Sequence, residues 1–376
     1  MSVLSGIIQQ EITSGGPITF ARFMEQALYH PELGYYTSPG TKIGRAGDFY
    51  TAPGVSPLFG AMLARRLYQM WDSNGRPDRW VVAEYGPGTG ILPRDITTAI
   101  HRNYPDLHAA LEYYLIEISS TLKELQQKTL SEPIPGDNRP GVEINKFHWI
   151  SKLTEINPGY IENGCILANE LVDAFPVHLV EQNDSGLAEL YVSLCDNDHS
   201  LFELAAGPPS TAKLAEYFNM QNIRLENGQR AEVNLQAHNW LTEIAGHLKQ
   251  GYLLTIDYGA TSRELYSEHR FNGTLRCFHK HHLADNPLIN IGRQDITAHV
   301  NFSTLITWGH QLGLQKIELT SQPQFLLNLG ILDALQKQPD YTPNPELAKV
   351  TSAIKQLVLP GGMGDIFKVL VQVKSL

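Results

Sequence analysis

The glycine-rich stretch EYGPGTG, residues 84–90, follows the apolar run WVVA and has the composition of a ligand-binding loop. Gly86, Gly88 and Gly90 give the spacing GxGxG, whereas the dinucleotide fingerprint GxGxxG requires a glycine where this chain has Ile91. The spacing therefore favours a methyl donor, S-adenosylmethionine, over a nicotinamide dinucleotide. The same glycines could instead form a tight turn from strand to helix that binds no ligand.

Two carboxylates end apolar runs and could contact different parts of such a ligand. Glu84 suits a ligand with an ammonium group better than one with a pyrophosphate, because a carboxylate repels phosphates. Glu117 ends the next run, where a carboxylate can accept hydrogen bonds from both ribose hydroxyls of a nucleoside. Both kinds of cofactor site use such an acid, and Glu117 could also be a solvated acid at a strand end.

A third set of polar residues lies in ANELVDAFP, directly after the apolar run CIL. Methyl transfer is an in-line displacement, so an enzyme aligns the nucleophile and removes a proton as the bond forms. Glu170 and Asp173 are the candidate catalytic residues, because paired carboxylates can bind and orient a guanidinium group. Alternatively, these acids decorate a helix N-terminus, where the helix dipole favours them.

Histidines occur in two later stretches. Those of CFHKHHLAD are adjacent, and adjacent histidines seldom share one ion without a further positioned ligand, so we expect no metal. In QDITAHVNF, Asp295 and His299 could orient the substrate or each other, or they could cap a helix that begins near Phe302.

The elements that must position these residues alternate between short apolar runs and helical patterns from residue 80 onward. This alternation predicts a mainly parallel sheet with crossover helices. The strand candidates are 80–84, 113–118, 165–168 and 252–257, and each ends beside a polar residue that should lie on one rim of the sheet. Late strands at 314–319 and 366–373 could pair as an antiparallel edge. The outline is that of an α/β class I methyltransferase, with a Rossmann-like sheet and helices on both faces.

The chain of 376 residues exceeds the usual size of one domain, and its patterns divide it in two. Residues 1–75 contain two amphipathic helices, one of them capped by Thr19, on either side of a long loop. Residues 76–376 form the core, with insertions at about 178–230 and 261–300. Strand-like runs and an amphipathic helix near 212–218 mark an inserted α+β subdomain.

Composition limits the partners. The formal net charge of −10 disfavours a protein that grips nucleic acid through phosphate contacts. The three cysteines are far apart in the sequence, which argues against a disulfide framework or a structural zinc site. No run approaches the roughly 20 apolar residues of a membrane helix, and the first residues match neither a signal peptide nor a mitochondrial presequence. We expect a cytoplasmic protein with a protein or small-molecule substrate, and neither a nucleic-acid nor a membrane partner.

Together the motifs resemble the MidA family, methyltransferases that in mitochondria assist complex I assembly by methylating an arginine of a complex I subunit. The resemblance extends over nearly the whole chain, and it rests on HPELGYY, GRAGDFYTAPGVSPLFG, EYGPGTG, IEIS, ANELVDAFPV, LLTIDYG, QDITAHVNF and MGDIFKVL. It implies S-adenosylmethionine as donor, protein arginine as acceptor, and a segment 48–51 that covers the cofactor pocket. The cofactor contacts it implies are Gly86, Gly88, Gly90 and Glu117.

Further contacts are expected around these. Ile118, Asn169 and Thr51 are expected to contact the cofactor, and Asp48 and His299 the substrate. The leading hypothesis is an S-adenosylmethionine-dependent methyltransferase that acts on a protein side chain. A small-molecule methyltransferase, whose insertions would close into an apolar pocket, and a nicotinamide dehydrogenase are the alternatives among enzymes. An assembly factor without turnover is a further alternative, although the glycines and Glu84, whose loss would favour it, are present.

Overall fold

The computed structural model of the protein describes residues 2–38, 52–132, 142–279, 282–284, 286–336, 345–360 and 366–375. The chain folds as two compact units, each built from separate segments. The accessory unit consists of Met1–Phe49, Val172–Leu241 and Gly259–Trp308; the sheet unit consists of Tyr50–Leu171, Thr242–Tyr258 and Gly309–Leu376. This division does not follow the predicted boundary at residue 75: the helix capped by Thr19 shares a unit with both predicted insertions, whereas the helix Pro57–Ser73 belongs to the sheet unit.

Strands and helices are numbered separately, each in chain order. The strands are β1 (Ile18–Thr19), β2 (Trp80–Tyr85), β3 (Leu111–Ile116), β4 (Phe147–Ile150), β5 (Ile161–Asn169), β6 (His178–Asn183), β7 (Gly186–Cys195), β8 (Asp198–Gly207), β9 (Arg230–Val233), β10 (Leu248–Ala260), β11 (Arg276–His279), β12 (His282–Ala284), β13 (Asp295–Thr297), β14 (Val300–Asn301), β15 (Gln315–Ser321) and β16 (Phe367–Lys374). The helices are α1 (Val3–Gly15), α2 (Phe20–Tyr29), α3 (Ala52–Val55), α4 (Pro57–Ser73), α5 (Ile91–Asn103), α6 (Pro105–Ala110), α7 (Ser120–Ser131), α8 (Lys213–Met220), α9 (Gln236–His247), α10 (Ser262–Leu265), α11 (Phe302–Gln311), α12 (Gln322–Asn328), α13 (Asp333–Gln336) and α14 (Pro345–Val358).

The sheet unit contains a sheet with the strand order β15-β16-β10-β5-β2-β3-β4. The strands from β10 to β4 are parallel, whereas β16 is antiparallel to both β10 and β15. This arrangement confirms the predicted parallel core with two late antiparallel strands. Helices pack on the sheet through an apolar core whose members include Phe59 of α4, Ile96 of α5, Phe325 of α12 and Leu357 of α14.

The accessory unit contains an antiparallel sheet with the order β1-β7-β6-β9, in which β8 also pairs with β7. Helices α1 and α2 pack against it through Ile8, Phe20 and Phe23, which share an apolar core with Val192. Thr19 caps α2 as predicted, because its side chain accepts a hydrogen bond from the backbone of Arg22 at 3.2 Å. Strand β8 was missed, since its sequence DHSLFELAAG lacks regular alternation of apolar and polar residues.

Two predicted boundaries are corrected where they bear on the site. β3 ends at Ile116 rather than Ile118, so Glu117 and Ile118 follow the strand instead of closing it. β10 runs from Leu248 to Ala260, because its pairing with β5 begins at Leu248 and its pairing with β14 extends to Ala260. No helix among the described residues is long and apolar enough to cross a membrane.

Candidate active site

The carboxyl ends of β2, β3 and β5 lie side by side. Tyr85, the last residue of β2, is paired with Ile116 on β3 and with Ala168 on β5. One step further, the backbone N–H of Gly86 donates to the carbonyl of Ile116 at 3.1 Å. The glycine loop, Glu117 and Glu170 therefore leave the sheet at the same rim, where open α/β sheets bind ligands.

The glycine loop has a backbone that only glycine adopts readily. Gly86, Gly88 and Gly90 have φ angles of 60°, 55° and 81°. Added Cβ atoms would also be crowded: at Gly86 the nearest atom is Leu171 Cδ1 at 3.1 Å, and at Gly90 it is Gln126 Cα at 3.1 Å. Gly90 precedes α5 and offers no side-chain cap, so the first N–H groups of that helix can bind a ligand carboxylate.

Glu117 is buried and oriented from two sides. The backbone N–H of Ser119 donates to Oε1 at 2.8 Å, and Gln126 Nε2 donates to Oε2 at 2.9 Å. Burial raises the pKa of Glu117, although these donors oppose the shift. Since a carboxylate has about four acceptor positions, it retains sites for two ribose hydroxyls. The neighbouring Ile118 is 65% exposed and can cover an adenine ring.

Glu84 lies deeper than the sequence suggested. Its side chain is buried in β2, and the Tyr113 hydroxyl donates to its Oε2 at 2.5 Å. Burial raises the pKa of Glu84 to about 8. At neutral pH the group is then mainly uncharged, which weakens the argument that it repels phosphates. An approaching ammonium group would favour the charged form.

Glu170 follows β5 with a φ of 52°, a left-handed conformation that costs a non-glycine residue about 1–3 kcal/mol. Its Oε1 accepts hydrogen bonds from the backbone of Ala52 at 3.3 Å and from Asn169 Nδ2 at 3.2 Å. Its Oε2 accepts one from the Tyr258 hydroxyl at 3.2 Å. Desolvation, together with the nearby charge of Asp257, raises the pKa of Glu170 to about 7. The Glu170 carboxyl group thus accepts three hydrogen bonds at the end of β5.

Asp257 is the carboxylate that the sheet places beside Glu170. Its side chain is fully buried near the end of β10, where the backbone N–H of Leu171 donates to Oδ2 at 3.1 Å. The backbone N–H of Tyr258 donates to Oδ1 at 2.8 Å. Sequence analysis placed Asp257 on this rim but paired Glu170 with Asp173 instead.

Asp173 belongs to the accessory unit and has its own surroundings there. It lies in a 3₁₀ helix of one turn, Val172–Ala174, rather than at the start of an α-helix. Its charge and that of Asp295 raise the pKa of Tyr29 and of Tyr36, after the larger effect of burial. The Tyr36 hydroxyl donates to Asp295 Oδ1 at 2.8 Å. A catalytic role for Asp173 stays a prediction.

His299 lies in the accessory unit and lines a small polar cavity with Glu232 and Asn301. Its Nδ1 accepts a hydrogen bond from Arg270 at 2.9 Å. Burial and the Arg270 charge lower the pKa of His299 to about 4, so the imidazole is neutral at pH 7. The cap of α11 is Asn301, whose Oδ1 accepts from Thr304 N at 3.2 Å, and not Asp295 or His299.

Other predicted residues can be placed only in part. Asp48 and Thr51 lie outside the described residues, although Ala52, which follows them, contacts Glu170.

In the sheet unit, His101, His108 and Glu143 present ligand-type atoms within 4.8 Å of one another. The Lys146 charge helps to lower the pKa of His108, after the larger effect of burial, and that charge also opposes a cation there.

Gln126 was not predicted from the sequence, although its side chain hydrogen-bonds to both Gly88 and Glu117. Its side chain is fully buried on α7, a helix whose other residues are mostly polar. The signal was available: Gln126 is spaced four residues from both Leu122 and Leu130, on the apolar face of the helix. A polar residue on such a face must find buried hydrogen-bond partners.

Comparison with known proteins identifies the cofactor. A family model described as putative S-adenosyl-L-methionine-dependent methyltransferase matches residues 62–320. The chain belongs to this family. Its cofactor is therefore S-adenosylmethionine, and the methyltransferase fold and activity expected from the sequence are confirmed.

Individual relatives match over nearly the whole chain. A crystal structure from Burkholderia thailandensis, bound to S-adenosyl-homocysteine, is 33% identical and has a TM-score of 0.87, covering 99% of this chain and 92% of that one. A native structure from the same organism is 34% identical, with a TM-score of 0.84 and coverage of 99% and 91%. The human mitochondrial protein arginine methyltransferase NDUFAF7 is 29% identical over 96% of this chain and 81% of its own length.

The residues of the rim fit this cofactor. The glycine loop and the N–H groups at the start of α5 would hold the methionine carboxylate, and Glu84, the acid nearest the loop along the chain, would hold the ammonium. The remaining acceptor positions of Glu117 would take the ribose hydroxyls. A dinucleotide would instead place a pyrophosphate at the loop. The glycine spacing and the family both indicate S-adenosylmethionine rather than a dinucleotide.

Proposed function

We propose that this protein methylates an arginine side chain of a protein substrate. The observation that carries the proposal is the pair of neighbouring carboxyl groups, Glu170 and Asp257, on the rim that also carries the cofactor loop. The relatives named protein arginine methyltransferase NDUFAF7, from rat and human, support an arginine acceptor.

The chemistry of the acceptor explains why carboxyl groups are needed. S-adenosylmethionine, when bound, supplies a methyl group on a positively charged sulfur. A guanidinium nitrogen forms the new C–N bond as the C–S bond breaks, the electron pair of that bond stays on sulfur, and one N–H proton must leave. Glu170 can accept hydrogen bonds from the guanidinium, hold its nitrogen in line, and take up that proton.

The pKa of Glu170 suits this role. A general base works best when its pKa lies near the working pH, and the pKa of this carboxyl is about 7. The nearby Asp257 charge raises the proton affinity of Glu170 and adds a second negative charge to attract a guanidinium. Tyr258 and Asn169 donate to different oxygens of Glu170 and so fix the plane of its carboxyl group.

The test is transfer from isotopically labelled S-adenosylmethionine to proteins in a lysate of the source organism that lacks the gene. Label should appear as methylarginine and should be lost with Glu170→Gln while S-adenosyl-homocysteine binding persists. The matched control is Glu162→Gln, because Glu162 is exposed at the opposite end of β5. Full labelling by Glu170→Gln would remove Glu170 from catalysis, and label on small molecules alone would support the alternative acceptor class.

A further inference from the structure

We propose that Gln126 is the positioning residue of the cofactor site, which fixes the ribose-binding carboxylate relative to the glycine loop. Its Nε2 donates two hydrogen bonds, to Glu117 Oε2 at 2.9 Å and to the carbonyl of Gly88 at 2.9 Å. Its Oε1 accepts a third, from Trp149 Nε1 at 3.0 Å. One side chain thus joins the loop after β2, the acid after β3 and the aromatic residue of β4.

The three partners determine which side chain can serve here. The Glu117 carboxylate and the Gly88 carbonyl can only accept hydrogen bonds, whereas the indole of Trp149 can only donate one. The side chain must therefore carry an NH₂ group that donates twice and an oxygen that accepts once. The glutamine amide provides both. The network also sets the orientation of that amide, since a flipped group would place its oxygen against two acceptors.

The backbone of Gln126 is part of the same arrangement. Its Cα would lie 3.1 Å from a Cβ placed at Gly90, which is a tight contact, so α7 comes close to the loop at a residue that has no side chain. Gln126 therefore hydrogen-bonds to the loop at Gly88 through its side chain and lies beside Gly90 through its main chain. The loop serves the methionine portion and Glu117 serves the ribose, so their spacing sets how well the whole cofactor fits.

The charge of the partners makes a specific prediction for Gln126→Glu. This change would place a second carboxyl group within hydrogen-bond distance of Glu117, and such a pair holds a proton that is lost as the pH rises. At low pH the protonated pair keeps one hydrogen bond, whereas at high pH two like charges force the groups apart. The dissociation constant of the variant, divided by that of the wild type at the same pH, should therefore rise from pH 6 to pH 9.

The experiment measures the dissociation constant of S-adenosyl-homocysteine by titration calorimetry at pH 6 to 9. Gln126→Met, which preserves length and removes the hydrogen bonds, should weaken binding by about 10- to 100-fold, because two hydrogen bonds to the site's own acceptors are lost. The control is Gln127→Glu, an exposed change on the next residue of α7, which should leave the dissociation constant within about twofold.

A spectroscopic measurement separates positioning from a merely structural role. The chain has five tryptophans, and the indole N–H resonance of Trp149 can be assigned with Trp149→Phe. S-adenosyl-homocysteine should shift this resonance in the wild type and should no longer shift it in Gln126→Met. Unchanged affinity in a folded Gln126→Met would overturn the proposal. If that variant does not fold, the pH series of Gln126→Glu decides, and a constant ratio of its dissociation constant to that of the wild type from pH 6 to pH 9 rejects the proposal.

Discussion

Tyr258 donates its hydroxyl to Glu170 Oε2 at 3.2 Å, across from β10 to the end of β5. The residue before it, Asp257, raises the pKa of the same carboxyl group. Two consecutive residues of one strand therefore act on Glu170 in opposite directions. The hydroxyl stabilises the carboxylate, and the neighbouring charge destabilises it.

The pH dependence of methyl transfer should follow Glu170. A general base acts when deprotonated, so transfer should rise with pH through about 7 in the wild type. Asp257→Asn removes a negative charge and should move this midpoint to lower pH, whereas Tyr258→Phe removes a donor and should move it to higher pH. Single-turnover transfer from labelled donor, measured across pH 5 to 9, checks both. Shifts in the same direction for the two variants would contradict the assignment.

Cofactor binding should release a proton from Glu84. The free group has a pKa of about 8 and is mainly protonated at pH 7, while an ammonium beside it favours the carboxylate. Calorimetry of S-adenosyl-homocysteine binding in two buffers of different ionisation enthalpy measures the released fraction. Glu84→Gln should abolish the release at pH 7. Equal release from this variant would assign the proton to another group.

The glycine loop should not tolerate a side chain at residue 90. Gly90→Ala forces a left-handed backbone on alanine, at a cost of about 1–2 kcal/mol, and brings its Cβ to 3.1 Å from Gln126 Cα. We expect at least about tenfold weaker binding of S-adenosyl-homocysteine by calorimetry. Gly246→Ala is the matched control, because Gly246 lies in α9 with no atom within 4 Å of an added Cβ. Wild-type binding by Gly90→Ala would show that the loop can move away.

Acid stability should depend on His299. Its pKa of about 4 in the folded protein lies below the ordinary value of 6.5, so the unfolded state binds the proton first. The contribution of the neutral imidazole is complete above pH 6.5 and is lost as the pH falls toward 4. The unfolding temperature of the wild type should therefore fall relative to that of His299→Gln as the pH is lowered from 7 to 4. Parallel curves over this range would exclude a buried neutral histidine.

Much of this site could be predicted, because the ends of buried strands can be recognised in the sequence as apolar runs followed by polar residues. The apolar runs that end at Glu84, Glu117 and Asn169 indicate the rim, and the glycine spacing selects the cofactor. The pairing of Glu170 with Asp257 could not be inferred from sequence proximity, since it depends on β10 lying beside β5. Asp173 looked like the partner because it is three residues away.

The burial of Glu84 also required the three-dimensional register. Its hydroxyl donor, Tyr113, comes from β3, and nothing in a single sequence says which strand lies beside β2 or at what level. The case of Gln126 differs from those of Glu84 and Glu170, because the sequence itself shows a polar residue on the apolar face of a helix. What the sequence could not supply was the identity of its three partners, which come from two loops and a strand.

The discontinuous division of the chain has a consequence for engineering it. The chain leaves the sheet unit after Leu171 and again after Tyr258, directly beyond the residues that surround the Glu170 carboxyl. The glycine loop, 84–90, lies inside Tyr50–Leu171, away in sequence from both of these points. An insertion at either point would therefore leave the stretch of chain that carries the glycine loop uninterrupted.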